Sequence, residues 1–158
     1  RFRLLYQPII SLRGSDEEYY EVLLRLLNEK NEEVSPDDFM ETAAEKGNAT
    51  KIDRWVILES IKQLTERRTR VDKTHLIVNI SCQSMCDESL VPWLAVAFKT
   101  AKLSPDSLVF QIPEDDVTSH LNAAKAFAMG IRAMSGRVSI SRFGCALNPM
   151  NTLEHVDV

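Results

Sequence analysis

Five polar side chains, Glu21, Asn79, Gln111, Ser141 and Arg142, stand at or near the ends of segments with strand-like periodicity. Together they offer a carboxylate, two amides, a hydroxyl and a fixed cation, a set that can grip a polar ligand through several hydrogen bonds at once. Any one of them alone reads as an ordinary polar strand end. Recurrence of the same position on consecutive strands points to a common mouth. The net charge of -4 excludes a protein that holds nucleic acid mainly by neutralising phosphates. It leaves room for a small anionic ligand held by one or two well-placed arginines.

The elements that must position these residues follow from periodicity. Strands are predicted over 4–12 and 19–26, joined by a charged turn around Gly14, Ser15 and Asp16. Ser35, Pro36, Asp37 and Asp38 then signal a helix start: serine can cap, proline suits the first helical position, and acids suit the positive end of the dipole. That helix should run to Gly47. Ile52, Trp55, Val56, Ile61 and Leu64 recur at helical spacing and predict a second amphipathic helix ending near the basic cluster Arg67, Arg68, Arg70. Beyond it, strands over 75–80, 108–112 and 137–140 alternate with helices over 89–101 and 117–134.

Such alternation implies parallel strands with crossover helices, either an open doubly wound sheet or a TIM-like barrel. With only five glycines and no glycine-rich phosphate loop after any strand, the nucleotide-binding open sheet is disfavoured. In a barrel, polar residues at the C-terminal ends of strands face the ligand, and Glu21, Asn79, Gln111, Ser141 and Arg142 are the candidates.

The composition, 158 residues with 44% hydrophobic and 27% charged, fits one core or a piece of one. No apolar run approaches the roughly 20 residues that span a bilayer. Membrane insertion and secretion are unsupported, and a cytoplasmic location is expected. Cys82, Cys86 and Cys145 lack C-x-x-C spacing, and His75 is the nearest histidine in sequence to the first two. They are expected to be reduced packing cysteines, with no metal.

An ordered series of short matches resembles the EAL domain family. It begins with Tyr6-Gln7-Pro8-Ile9 and Glu21-Val22-Leu23-Leu24-Arg25, where the signature triplet reads EVL. It continues through Pro36 and Phe39, Ile52-Asp53-Arg54-Trp55-Val56, Val78-Asn79-Ile80-Ser81, Leu103-Ser104-Pro105 and Phe143-Gly144. The resemblance implies a modified (β/α)8 barrel of α/β class, and a family whose active members open cyclic di-GMP using two metal ions. A full barrel needs about 200–250 residues. The chain is therefore expected to be the N-terminal part of an EAL-type domain over 1–158 that continues past Val158, with residues 153–158 approaching a sixth barrel strand.

Two-metal chemistry requires several carboxylates. Glu21 and Asn79 match family metal positions, but the family's E-I-T-E reads Gln111-Ile112-Pro113-Glu114, and its paired aspartates before Phe-Gly read Ser141-Arg142. Three carboxylates have become an amide, a hydroxyl and a guanidinium, and a guanidinium repels divalent cations. The resemblance thus implies a degenerate, inactive phosphodiesterase with no catalytic residues and no required metal. The loop from Cys145 to Pro149 has also lost the family's glycine- and serine-rich character, while Glu114 matches a loop-anchoring glutamate.

Loss of the metals need not entail loss of the ligand. Gln7 and Arg25 are donors suited to phosphate or guanine oxygens. Asp53 matches a position near a guanine, Leu23 would add apolar contact, and Glu21 and Asn79 remain at the mouth. Arg142 either replaces a lost metal electrostatically, by pairing with Glu21 or with a ligand phosphate, or is a plain structural arginine. The alternatives are a helix-surface salt bridge for Asp53, a core leucine for Leu23 and a surface ion pair for Arg25.

EVL, Q-I-P-E and S-R-F-G in combination are most similar to FimX-type cyclic di-GMP receptors of type IV pilus and twitching-motility control. That likeness implies a PilZ-domain partner, a place near the cell pole and dimerisation through a longer protein. The rival expectations are an active or weakly active phosphodiesterase and an interaction module that no longer binds nucleotide.

Overall fold

The computed structural model describes residues 1–67, 73–145, 147, 149–156 and 158. Its sheet runs in the order β1(Phe2–Ile9), β2(Glu18–Leu27), β4(Thr74–Asn79), β5(Leu108–Pro113), β6(Arg137–Ser141), with β3(Glu33–Val34) paired to β2. β1 is antiparallel to β2, as the predicted hairpin-like turn requires, and every later pairing along the path is parallel.

Strand neighbours follow sequence order without the reversal that marks a doubly wound sheet. The helices cover one face. Val22, Val78, Phe110 and Ile112 share a single buried cluster with residues of α2(Ala49–Arg67), α4(Leu90–Ala101) and α6(Leu121–Ala133). Because strand side chains alternate between faces, Tyr19, Glu21, Leu23 and Arg25 must point the other way, as must Asn79 and Gln111. That second face is the inside of a barrel, so the barrel reading holds over the open sheet.

Local chemistry explains the helices. α6 places Ala124, Phe127, Ala128 and Ile131 at i, i+3, i+4 and i+7 and buries that stripe. Phe127 meets the fully buried Phe110 edge-on, with ring centroids 6.2 Å apart. Truncating Phe110 to alanine would cost about 3–5 kcal/mol. α1(Pro36–Glu45) starts with Pro36 and two acids and stops before Gly47, whose φ of +69° suits a residue without a side chain.

Several expectations need correction. Ser35 precedes α1, yet its side chain makes no capping bond. The helix expected over 117–134 is two helices, α5(Glu114–Ser119) and α6, broken at His120 with φ −134° and ψ 54°. A one-turn helix α3(Cys82–Met85) and the two-residue β3 were unforeseen. Residues 153–155, expected to approach a sixth barrel strand, instead end α7(Pro149–His155), with Pro149 at the position where proline favours helix initiation. Arg67 closes α2, and the remainder of the expected basic cluster, Arg68 and Arg70, lies outside the described residues. Ala146 and Asn148 of the following loop do so as well.

Candidate functional site

Three of the five mouth candidates form one hydrogen-bonded chain. Gln111 Nε2 donates to Asn79 Oδ1 at 2.9 Å, and Asn79 Nδ2 donates to Glu21 Oε1 at 3.2 Å. Register explains the first bond, because Asn79 and Gln111 are direct partners in the β4–β5 ladder. Glu21 reaches Asn79 diagonally. Its register partner is Ile77, and it sits fourth in a ten-residue strand, so the expectation that it ends its strand is corrected. β2 is long because its second half pairs with β1 and β3 beyond the last β4 partner.

β1 supplies the next row. Gln7 pairs with Glu21, Leu5 with Leu23 and Arg3 with Arg25, which sets Gln7, Glu21, Leu23 and Arg25 on the same inward face. Leu23 is half-buried on that face and is absent from the helix-side cluster, so the core-leucine alternative does not hold. Arg25 does form the ion pair that the sequence allowed, Nε to Glu33 Oε2 at 3.7 Å, and its Nη1 donates to the Leu24 carbonyl at 2.9 Å.

Asp53 departs from the surface-salt-bridge alternative. It is 4% exposed, so it is no surface salt bridge. Its Oδ2 accepts the backbone N–H of Ser81 at 3.0 Å, the Ser81 hydroxyl at 2.5 Å and the Ser84 hydroxyl at 2.6 Å. Burial pushes its carboxyl above the ordinary carboxylate range, partly offset by those hydrogen bonds. In this chain Asp53 pins the turn from β4 into α3, directly behind Asn79.

Arg142 follows β6 at φ +52°, a left-handed conformation that side chains rarely adopt, and is exposed. It makes no ion pair with Glu21 among the described residues: Asn79 and Gln111 stand between them on intervening strands. Its guanidinium instead lies near Asp116, whose carboxyl is raised by burial and lowered by His120 and Arg142. Ser141 ends β6 opposite Pro113. Glu114, fully buried at the start of α5, accepts the Cys145 N–H at its Oε2 at 2.9 Å, so it does anchor the loop after β6.

Cys82 packs against the buried cluster, as expected of a packing cysteine, whereas Cys86 and Cys145 do not. Cys82 is half-buried, while Cys86 and Cys145 are exposed. His75 is turned away from them, with its Nδ1 2.9 Å from the Asp106 carbonyl oxygen and its ring stacked on Tyr19. A different histidine, His120, comes to Cys82 instead. Sequence distance hid this contact, which joins the start of α3 to the break between α5 and α6. The Cys82 thiol is pushed up to about 11 by burial, then by Asp116 and Cys86.

A parallel sheet with one reversed leading strand, helices on one face and a polar mouth on the other define a barrel-type α/β domain. The sequence profile of the EAL domain matches residues 1–158, and the chain belongs to the EAL domain family. It is similar to the FimX EAL domain of Pseudomonas aeruginosa bound to c-di-GMP, with 54% identity and a TM-score of 0.92 over 98% of this chain and 62% of that one. The Xanthomonas citri FimX EAL domain in complex with c-diGMP is 34% identical, with a TM-score of 0.87 over 99% of this chain and 60% of that one. The cyclic di-GMP phosphodiesterase PdeF of Escherichia coli is 26% identical over 156 residues, 99% of this chain and 21% of PdeF. The chain thus spans about a fifth of that curated relative and about three fifths of the FimX domains. No helix among the described residues is long and apolar enough to cross a membrane.

Proposed function

We propose that this domain binds cyclic di-GMP at the barrel mouth without hydrolysing it, and passes the bound state to a protein partner. The observation that carries the reading is the Gln111–Asn79–Glu21 chain, which links a family position turned from carboxylate to amide with two retained ones. In active relatives such positions would point lone pairs at cations. Here an amide N–H of Gln111 occupies the Asn79 oxygen, and an amide N–H of Asn79 occupies a Glu21 oxygen.

The donors present do not fit two divalent ions. Glu21 is the single carboxylate of the chain of three, and the positions that match the family's other acids carry Gln111, Ser141 and the cation Arg142. The ligand is held instead by hydrogen bonds and fixed charge: Gln7, Glu21 and Asn79 toward polar edges, Leu23 against an apolar base face, and Arg25 and Arg142 toward phosphates. The Arg25–Glu33 pair, with its partner carboxylate 55% exposed, is weak enough to yield to a ligand phosphate. Asp53 acts through Ser81 and Ser84 as a positioning residue.

The crystal structures of the two FimX domains with this nucleotide support the ligand. The resemblance to FimX-type receptors supports type IV pilus control, a PilZ-domain partner and dimerisation through a longer protein. Calorimetry on the complete domain, with cyclic di-GMP and with or without chelator, is the test. Binding that ignores the chelator, without release of linear dinucleotide in magnesium or manganese, is expected. Turnover would favour the phosphodiesterase reading, and absence of binding would leave an interaction module.

A further inference from the structure

Beside the mouth, two loops bring together a set of soft ligands. Cys82 opens α3 and Cys86 caps its end, one turn later, so both sulfurs lie on one side of that turn. His120 sits at the break between α5 and α6, and its Nδ1 is 3.3 Å from Cys82 Sγ. A ligand atom from each of the three residues lies within 4.8 Å of the other two. We propose that Cys82, Cys86 and His120 form a binding site for a thiophilic divalent cation of the zinc class, which ties the loop after β4 to the loop after β5.

The distances suit that chemistry. With Zn–S near 2.3 Å and Zn–N near 2.0–2.1 Å, a tetrahedral centre sets sulfur and nitrogen about 3.6 Å apart and two sulfurs about 3.8 Å apart. The Cys82–His120 pair at 3.3 Å needs only a slight opening, and the other pairs, within 4.8 Å, at most about 1 Å of closure. Two thiolates balance a divalent charge, the histidine binds neutral, and the two thiol protons leave to solvent. A water completes the fourth position.

The site is also held in place from behind. The Ser81 hydroxyl accepts the Ser84 N–H and so caps α3, while Asp53 fixes both serines. Cys86 and His120 are exposed, which gives an ion a path in from solvent. Asn79 is three residues before Cys82, and Gln111 lies on the strand that leads into α5. A bound ion would therefore stiffen the two loops behind the Asn79–Gln111 hydrogen bond. This is a different place from the family's two-metal position, and it does not depend on whether nucleotide binds.

The test is titration of the reduced protein with cobalt(II), followed by displacement with zinc(II). Wild type is expected to take about one ion, with the visible absorption of tetrahedral thiolate-bound cobalt, and zinc should abolish that absorption. Removing an outer-shell partner of a metal ligand typically weakens binding by roughly 10–100-fold. Cys86→Ser and His120→Asn each remove a ligand outright and should lose at least as much, whereas Cys145→Ser should bind as wild type does. Both ligand changes are at exposed positions, and retained thermal unfolding would show that they fold. Absence of the cobalt band, or a band unchanged in Cys86→Ser, would overturn the proposal. So would a Cys82–Cys86 disulfide whose formation leaves cobalt binding unaltered.

Discussion

Asn79 donates its side-chain amide to the Glu21 carboxylate across the β4–β2 boundary, while its own carbonyl is occupied by Gln111. Each group in this relay satisfies its neighbour.

Asn79→Ala cuts the relay at its centre. Asn79 is exposed, so stability should change by no more than about 1 kcal/mol, within the range of a single solvent-accessible hydrogen bond. Cyclic di-GMP affinity should fall about tenfold or more, since Glu21 and Gln111 lose their common partner. Urea melts and calorimetry read the two quantities separately. A large stability loss with unchanged affinity would assign Asn79 to the fold and not to the ligand.

Glu114 makes a contrasting prediction, about order in the loop and not about binding. Its Oε2 holds the Cys145 N–H, and the side chain is fully buried. Glu114→Ala should cost roughly 1–3 kcal/mol and speed hydrogen exchange at the Cys145 amide. Glu114→Gln keeps an acceptor oxygen and should preserve that protection. Equal exchange rates in wild type and the alanine variant would count against the anchor.

Much of this architecture was readable in the sequence because periodicity reports burial directly. The alternation of β2 and the heptad-like stripe of α6 each reflect one buried face. What escaped notice was set by tertiary contact. α3 is a single turn, too short for periodicity, and it is stabilised by Ser81 and Asp53 from elsewhere in the chain. The break at His120 carries no glycine or proline to announce it. The expectation of a strand beyond Leu153 rested on likeness to a barrel, whereas Pro149 is the local helix signal that α7 follows. At the site, the members of the relay were each visible, but their hydrogen bonds depend on register between strands. Asp53 was placed by resemblance near a ligand, and only its burial shows that its Oδ2 serves the β4–α3 turn.

That burial gives Asp53 a signature in pH. Desolvation lifts its carboxyl above 3.8 by more than the Ser81 and Ser84 hydrogen bonds lower it. The folded state therefore takes up this proton more readily than the unfolded chain does. This group adds stability as pH falls from above its folded value toward 3.8, and that contribution is lost as pH rises through the folded value. Asp53→Asn cannot titrate. It should be less stable by about 1–3 kcal/mol at neutral pH, and its deficit against wild type should widen on acidification through that window. Denaturant melts of the two proteins at stepped pH measure the difference, and a constant deficit would mean that burial does not dominate the Asp53 carboxyl.

Arg142 separates stability from binding most clearly, because its backbone and its charge pull in opposite directions. At φ +52° a side chain is strained by crowding against its own backbone, and glycine is not. Arg142→Gly should therefore raise unfolding stability by about 0.5–1 kcal/mol, allowing for the extra freedom glycine has when unfolded. The same change removes the cation offered to a ligand phosphate, so cyclic di-GMP affinity should drop markedly, as it should in Arg142→Ala, where the strain remains. A guanidinium kept for the ligand would account for an arginine in a conformation that glycine would take at lower cost. If Arg142→Gly binds as tightly as wild type, the charge has no part in holding the nucleotide.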